Sequence, residues 1–217
     1  NDLPIELAFL PFIESSYDPF SISSSGAVGL WQIMPKTAEL LGLRENWWIE
    51  ERHDPYKSTD AAIRYIDYLY KRFNKDIYFS LVAYNAGPTF TSKAIQRNTR
   101  RTSTLSYKDL PLSAQTRNYI PKFLALIELI NNNEKYNIDL PEIPYSKVVD
   151  KISFEEQIEI LNFSDFLNLK PELLYKLNAG YTKWATDPNM VSTFYIPIEN
   201  KIKYERNGEE YIQSQKI

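Results

Sequence analysis

The chemistry of this chain starts from one carboxyl group at the end of its most apolar stretch. Residues 7–13 read LAFLPFI, and Glu14 follows at once. Glu14 is one position beyond Ile13 and one turn beyond Leu10, at the edge of an apolar helical face. A carboxyl placed there loses water, and desolvation raises its pKa. An acid that stays protonated near neutral pH is what general-acid cleavage of a glycosidic bond requires. The same position also suits a surface residue or a partner for an arginine, and position alone does not choose.

Three further stretches offer polar handles. SISSSGAVGLWQIMP, 21–35, is a Ser-rich loop with glycine hinges that carries Ser23, Trp31 and Gln32. Its backbone N–H groups, hydroxyls and amide suit a neutral sugar, though any loop covering a helix end could look alike. AYNAGP, 83–88, sets Tyr84 and Asn85 at a helix end before a Gly–Pro stop, where they either cap the helix or line a cleft. QTRNYIPK, 115–122, places Tyr119 one turn after Gln115 on a helix, a site that fits a core tyrosine as well as a functional one. Asp18 in YDP and Asp54 in HDPY read as turn-closing or capping residues, although either is also a candidate second carboxylate.

Helices must position these groups. Asp2 suits an N-cap, with Pro4 and Glu6 in the first turn after it. Ile5, Phe9, Phe12 and Ile13 then share one helical face, bent at Pro11. Residues 15–30 read as an irregular loop, 35–42 as a short helix from Pro35 to Gly42, and 43–57 as irregular. A long helix is expected from Thr59–Asp60 to about Phe73, burying Ala62, Ile63, Ile66, Leu69, Tyr70 and Phe73. Asp76 caps the next helix, which stops at Gly87–Pro88, and another follows from Thr89 to Arg97. Residues 98–111 read as loop, and a last long helix runs from Ser113 to Ile130 with Pro121 inside it. After 137–147, a proline-bearing linker, the order becomes extended segment, two short helices around Lys170–Pro171, and the strand STFYIPI. The expected fold is mainly α: a helical domain over 1–136, a linker over 137–147, a small α+β (βααβ) module over 148–199, and a polar tail over 200–217.

Composition removes several classes of function. The chain of 217 residues contains no cysteine, which excludes disulfides, thiolate metal sites and a cysteine nucleophile. His53 is its only histidine, so a histidine-based triad or a multi-histidine metal centre has little to build from. Net charge is −3, without the basic excess of a nucleic-acid binder; the cluster Lys93, Arg97, Arg100 and Arg101 reads as a solvated helix end and loop. Sixteen tyrosines, eleven phenylalanines and four tryptophans make the chain rich in aromatics, which fits either sugar-stacking surfaces or a mixed core. No apolar run approaches the roughly 20 residues of a membrane span. The chain starts inside an expected helix, so a leader or lipid anchor ahead of it is an open expectation.

Taken in order, the motifs are more specific than any one of them. ES at 14–15, GLWQ at 29–32, AYNAG at 83–87 and TRNY at 116–119 resemble the ordered motif set of the lytic murein transglycosylases with a goose-lysozyme-like SLT domain. The run PIELAFLPFIESSYDP, with Pro11 ahead of the Glu, is similar to the branch typified by membrane-bound lytic murein transglycosylase D. The resemblance covers about residues 1–135. It implies a lysozyme-like helical catalytic domain in which Glu14 is the catalytic acid. It further implies that Ser23, Gln32, Tyr84, Asn85 and Tyr119 bind substrate, with the Tyr119 hydroxyl reaching toward the acid. Gln115 stands where many relatives carry Glu, and Trp31 where Met is common. Residues 146–198 resemble, more distantly, a LysM-type glycan-binding module, carried by PELLYKLNAG; a non-binding appendage fits the same residues.

The implied reaction cleaves the bond between N-acetylmuramic acid and N-acetylglucosamine without water. One carboxyl serves as acid and then base, and the product is a 1,6-anhydro sugar. The resemblance implies no cofactor and no metal. It names peptidoglycan glycan strands as partner, excludes nucleic acid, and places the protein in the bacterial envelope, in the periplasm or anchored to the outer membrane. Two rivals stay open: a goose-type lysozyme that hydrolyses the same bond, and a non-catalytic peptidoglycan-binding protein on the same fold. A generic helical interaction domain would leave the ordered motifs as coincidence.

Overall fold

A computed structural model describes residues 3–99, 105–143 and 145–215. The expected cap Asp2, and Arg100 and Arg101 of the basic cluster, lie outside the described residues. Along the chain, a 3-10 turn at Ile5–Phe9 leads into α1 (Leu10–Ser15), followed by α2 (Pro35–Leu41), α3 (Pro55–Arg72), α4 (Ile77–Ala86), α5 (Pro88–Asn98) and α6 (Ala114–Asn131). Then come β1 (Val149–Phe154), α7 (Ile160–Leu167), α8 (Pro171–Leu177), β2 (Ser192–Pro197) and α9 (Ile198–Ser214). The protein is mainly helical with a small two-stranded sheet. It divides into two compact units, residues 1–14 with 62–142 and residues 15–61 with 143–217.

In the first unit α4 packs against α5 and α6. It is apolar on all sides, the mark of a buried helix, and Leu81, Val82 and Ala83 are almost fully buried. Asp76 caps α4 as its sequence position suggests, its side chain accepting from the N–H groups of Tyr78 and Phe79. Leu69, Phe73 and Ala83 form a core with Tyr65, Phe79, Tyr84 and Ile95 packed on it. The N-terminal segment departs from the expected single bent helix. Its first turn is 3-10, with three residues per turn, so Leu7 and Leu10 share the buried side while Ile5 and Phe12 are exposed. Pro11 sits in the first turn of α1, where its missing N–H costs no helical bond. On α3, Ile63 is exposed, unlike the rest of its expected stripe.

In the second unit β1 and β2 pair antiparallel, Val149 opposite Pro197 through Phe154 opposite Ser192. Ile152, Phe154, Phe163, Leu167, Leu174, Phe194, Ile196 and Ile212 enclose its core. The strand–helix–helix–strand order matches expectation. The polar tail instead forms α9, which buries Ile212 in that core. Sparse apolar residues on a charged background hid this helix in the sequence. α3 also begins four residues before the expected Thr59. Asp54 accepts from the N–H groups of Tyr56 and Lys57, both at 2.9 Å, ahead of Pro55 at the first helical position.

Replacing Asp76 with Ala leaves two N–H donors of α4 without this acceptor. It should cost about 1 kcal/mol, read as a lower urea midpoint at unchanged m-value.

Candidate active site

Glu14 occupies the last turn of α1, and the chain turns sharply straight after it. Ser16 and Tyr17 both take left-handed backbone conformations, φ 55° and 59°. Such conformations cost on the order of 1 kcal/mol or more for a residue with a Cβ, so local structure must hold them. The N–H of Asp18 donates to the Ser15 carbonyl at 3.1 Å, and Asp18 Oδ1 accepts from the Phe20 N–H at 3.0 Å. Asp18 is exposed and closes the turn, as its place in YDP suggests.

Tyr119, on α6 and only 5% exposed, donates its hydroxyl to Glu14 Oε1 at 2.5 Å. Burial pushes the Glu14 pKa up from 4.5 to about 7, against the opposing pull of the Tyr119 hydrogen bond. A phenol donating to a carboxylate favours the ionised form, so burial outweighs it here. The hydroxyl of Tyr84, in the last turn of α4, is pushed well above 10 by burial and by the nearby Glu14 charge. Tyr119 shifts the same way for the same leading reasons. Both phenols are therefore neutral donors wherever the protein is folded at ordinary pH. The Tyr84 ring tilts against Tyr65 with centroids 5.8 Å apart. Asn85 follows Tyr84 and is half-buried. Neither caps α4. Gly87 does so at φ 91°, its N–H donating to the Ala83 carbonyl at 2.9 Å. Glu14, Tyr84 and Tyr119 thus converge in the first unit.

Ser23 and Gln32 belong to a single folded loop in the second unit. Ser23 Oγ accepts from the Ala27 N–H at 2.9 Å and lies 3.1 Å from Ser25 Oγ. Gln32 is itself left-handed at φ 48°, and its Nε2 donates to the carbonyls of Gly29 at 3.0 Å and Ser21 at 3.3 Å. Both side chains therefore shape the loop from within. Val28 bridges to Ile22 on one side and Ile33 on the other. Gly29, at φ 79°, lies so close to Arg52 that an added Cβ would overlap the Arg52 carbonyl.

A brace that sequence reasoning missed holds this loop. The Arg52 guanidinium is bidentate on Glu50, at 3.0 and 2.7 Å, and donates to the carbonyls of Gly26 at 3.1 Å and Ile33 at 3.4 Å. Burial would raise the Glu50 pKa, but the hydrogen bonds and charge of Arg52 outweigh it and hold the carboxyl below its usual range. Trp31 Nε1 donates to Thr59 Oγ1 at 2.8 Å, and His53 Nδ1 lies 2.6 Å from the Pro19 carbonyl. The signal was the charged run EERHD inside an aromatic stretch. Its contacts reach back some 20 residues, a separation that local pattern does not encode.

Comparison with known proteins finds relatives of this sequence and fold. Residues 1–106 match the transglycosylase SLT domain. The chain is 33% identical over 194 residues to membrane-bound lytic murein transglycosylase D of Escherichia coli K12, covering 88% of this chain and 43% of that protein. It is 35% identical over 98 residues to membrane-bound lytic murein transglycosylase E of Buchnera aphidicola, covering 40% and 44%. The 70-kDa soluble lytic transglycosylase in complex with bulgecin A superposes with a TM-score of 0.52 at 25% identity, over 61% of this chain and 22% of that one. The chain thus spans less than half the length of these relatives.

Two measurements check the site. Gly29→Ala should destabilise the protein by on the order of 3 kcal/mol, read from denaturant unfolding. Glu14 binds its proton more tightly folded than unfolded, so wild-type stability falls as pH rises from about 4.5 to 7 and then levels. Glu14→Gln lacks this term. Its stability should gain on wild type by about 3 kcal/mol across that window, in unfolding curves at stepped pH.

Proposed function

We propose that this protein is a peptidoglycan lytic transglycosylase that cleaves the β-1,4 bond between N-acetylmuramic acid and N-acetylglucosamine. The observation that carries the reading is the Glu14 carboxyl, poised near pH 7 by burial and held by Tyr119. The match of residues 1–106 to the transglycosylase SLT domain supports it.

The protonated Glu14 gives its proton to the glycosidic oxygen as the C1–O bond breaks, and the N-acetylglucosamine side leaves with a free hydroxyl. The resulting carboxylate takes the proton from the C6 hydroxyl of the muramic residue. O6 then closes onto C1 to give the 1,6-anhydro product and restores protonated Glu14. No water is consumed, and one carboxyl suffices where hydrolytic glycosidases use two. A pKa near the working pH lets one group act in both directions. Tyr119 fixes the carboxyl orientation. Ser23, Gln32, Tyr84 and Asn85 are assigned to substrate binding, with the loop carrying Ser23 and Gln32 presenting backbone and amide groups to the sugar.

The catalytic domain is assigned to residues 1–136 and the linker to 137–147. Residues 148–199 are assigned to a LysM-like glycan-binding module, supported by its β1–α7–α8–β2 order. Glycan strands of the bacterial envelope are the proposed partner, and the periplasm is the proposed location.

Purified sacculi digested with the protein should release muropeptides one water lighter than reducing-end products, seen by mass spectrometry. Reducing ends would instead mark a hydrolase. Glu14→Gln should fold, bind glycan and lose cleavage by about 10³-fold or more. Wild-type cleavage should fall above about pH 7 as Glu14 loses its proton. Tyr119→Phe removes the hydrogen bond that favours the charged form, so its alkaline limb should move to higher pH, read from the pH–rate profile.

A further inference from the structure

The β1–α7–α8–β2 module is fastened to the segment that braces the Ser23–Gln32 loop. Glu45 and Glu50 bridge antiparallel, making residues 45–50 a small hairpin, and Ile49 bridges to Tyr181 of the module. The Glu50 N–H donates to the Gly180 carbonyl at 2.8 Å, and the Thr182 N–H to the Trp48 carbonyl at 2.9 Å. Asn46 Nδ2 donates to Asp187 Oδ2 at 2.9 Å, and Asp187 is only 5% exposed. Tyr56 and Tyr195 stack with centroids 3.5 Å apart, while Trp48 meets Trp184 edge-on at 5.8 Å. Gly180 has no room for a side chain, since an added Cβ would stand 2.9 Å from Asp54 Cβ. Backbone pairing, a buried polar contact and two aromatic contacts together form a built seam.

The seam ends on Glu50, whose N–H holds the module while its carboxylate holds Arg52. Arg52 in turn grips the carbonyls of Gly26 and Ile33 on either side of the loop turn. A continuous path of hydrogen bonds therefore runs from Gly180 through Glu50 and Arg52 to the loop. Asp54, which caps α3, abuts Gly180 at the same seam, so the start of that helix is fixed by it too.

We propose that the module is a structural part of the substrate loop, with Gly180, Tyr181 and Thr182 as positioning residues that set the loop carrying Ser23 and Gln32 through Glu50 and Arg52. On this account the module acts on cleavage without itself touching the reacting sugars. The catalytic consequence rests on the function proposed above; the mechanical coupling does not.

Two seam variants test it in the full chain. Gly180→Val wedges the module away from Asp54, and Tyr195→Ala removes the stack on Tyr56. Native-state hydrogen exchange without substrate should show the amides of Ser23, Val28 and Ile33 exchanging about tenfold faster or more in both variants. KM for soluble glycan strands should rise severalfold, while the alkaline limb of the pH–rate profile, set by Glu14, stays where it is in wild type. Loop exchange at the wild-type rate in both variants overturns the coupling, and faster exchange with unaltered KM overturns its role in substrate positioning. Because exchange is read without turnover, a wild-type protein that fails to cleave glycan sinks the functional reading alone and still leaves the coupling decided.

Discussion

The structure depends most on one costly placement: a carboxyl group taken out of water. Burial disfavours the charge on Glu14 and moves its pKa to about 7, where a carboxyl can give and recover a proton with little cost in either direction. The surrounding elements make that placement hold. Leu7 and Leu10 bury one side of the N-terminal segment, α1 ends one residue after Glu14, and two left-handed residues turn the chain away. Tyr119 supplies one hydrogen bond, enough to orient the carboxyl but too little to restore the charge that water would have favoured. Two neutral phenols, rather than cations, stand beside the acid. An arginine or lysine in their place would lower the Glu14 pKa and undo the arrangement.

The second demand is precision in a loop that joins a Ser-rich stretch to a short apolar one. Buried Ala27, Val28, Trp31 and Ile33 anchor its second half, while the Ser- and Gly-rich first half takes its shape mainly from hydrogen bonds. Ser23 and Gln32 supply some from within, and buried Arg52, itself held by Glu50, supplies others from outside. A buried ion pair is an uncertain source of stability, because desolvation offsets much of the attraction. Here its guanidinium also satisfies two backbone carbonyls, so it contributes a defined geometry. The backbone pairing between residues 45–50 and the module then ties that geometry to a separate hydrophobic core.

Glu14 stood out in the sequence because it breaks a local pattern, whereas the approach of Tyr119 to it was implied by the family resemblance of TRNY and not by any local pattern. Glu14 interrupts an apolar run, Asp76 and Gly87 punctuate α4, and TRNY lies on a long helix with a clear start at Ser113. What escaped depends on long-range contact or on a change of helical period. The 3-10 turn at Ile5–Phe9 moved the buried face from Ile5 and Phe12 to Leu7 and Leu10. α3 gained a turn because the Asp54–Pro55 pair acts as cap and first residue, a signal present in HDPY, where capping and turn closure fitted equally. α9 carries few apolar residues, so its periodicity is faint, yet Ile212 and Tyr211 pack on the module core. The pairing of Ile49 with Tyr181 spans more than 130 residues and leaves no local trace.

Burial lets Glu14 keep a proton near neutral pH, and the ionisation of that one side chain can be followed without substrate. In protein labelled with ¹³C at glutamate side-chain carboxyls, Glu14 can be assigned by comparison with Glu14→Gln and followed by NMR across pH. A titration midpoint near 7 is the expected result. A midpoint near 4.5, the ordinary glutamate value, would mean that the carboxyl is solvated and already charged at neutral pH, which contradicts the account at its foundation.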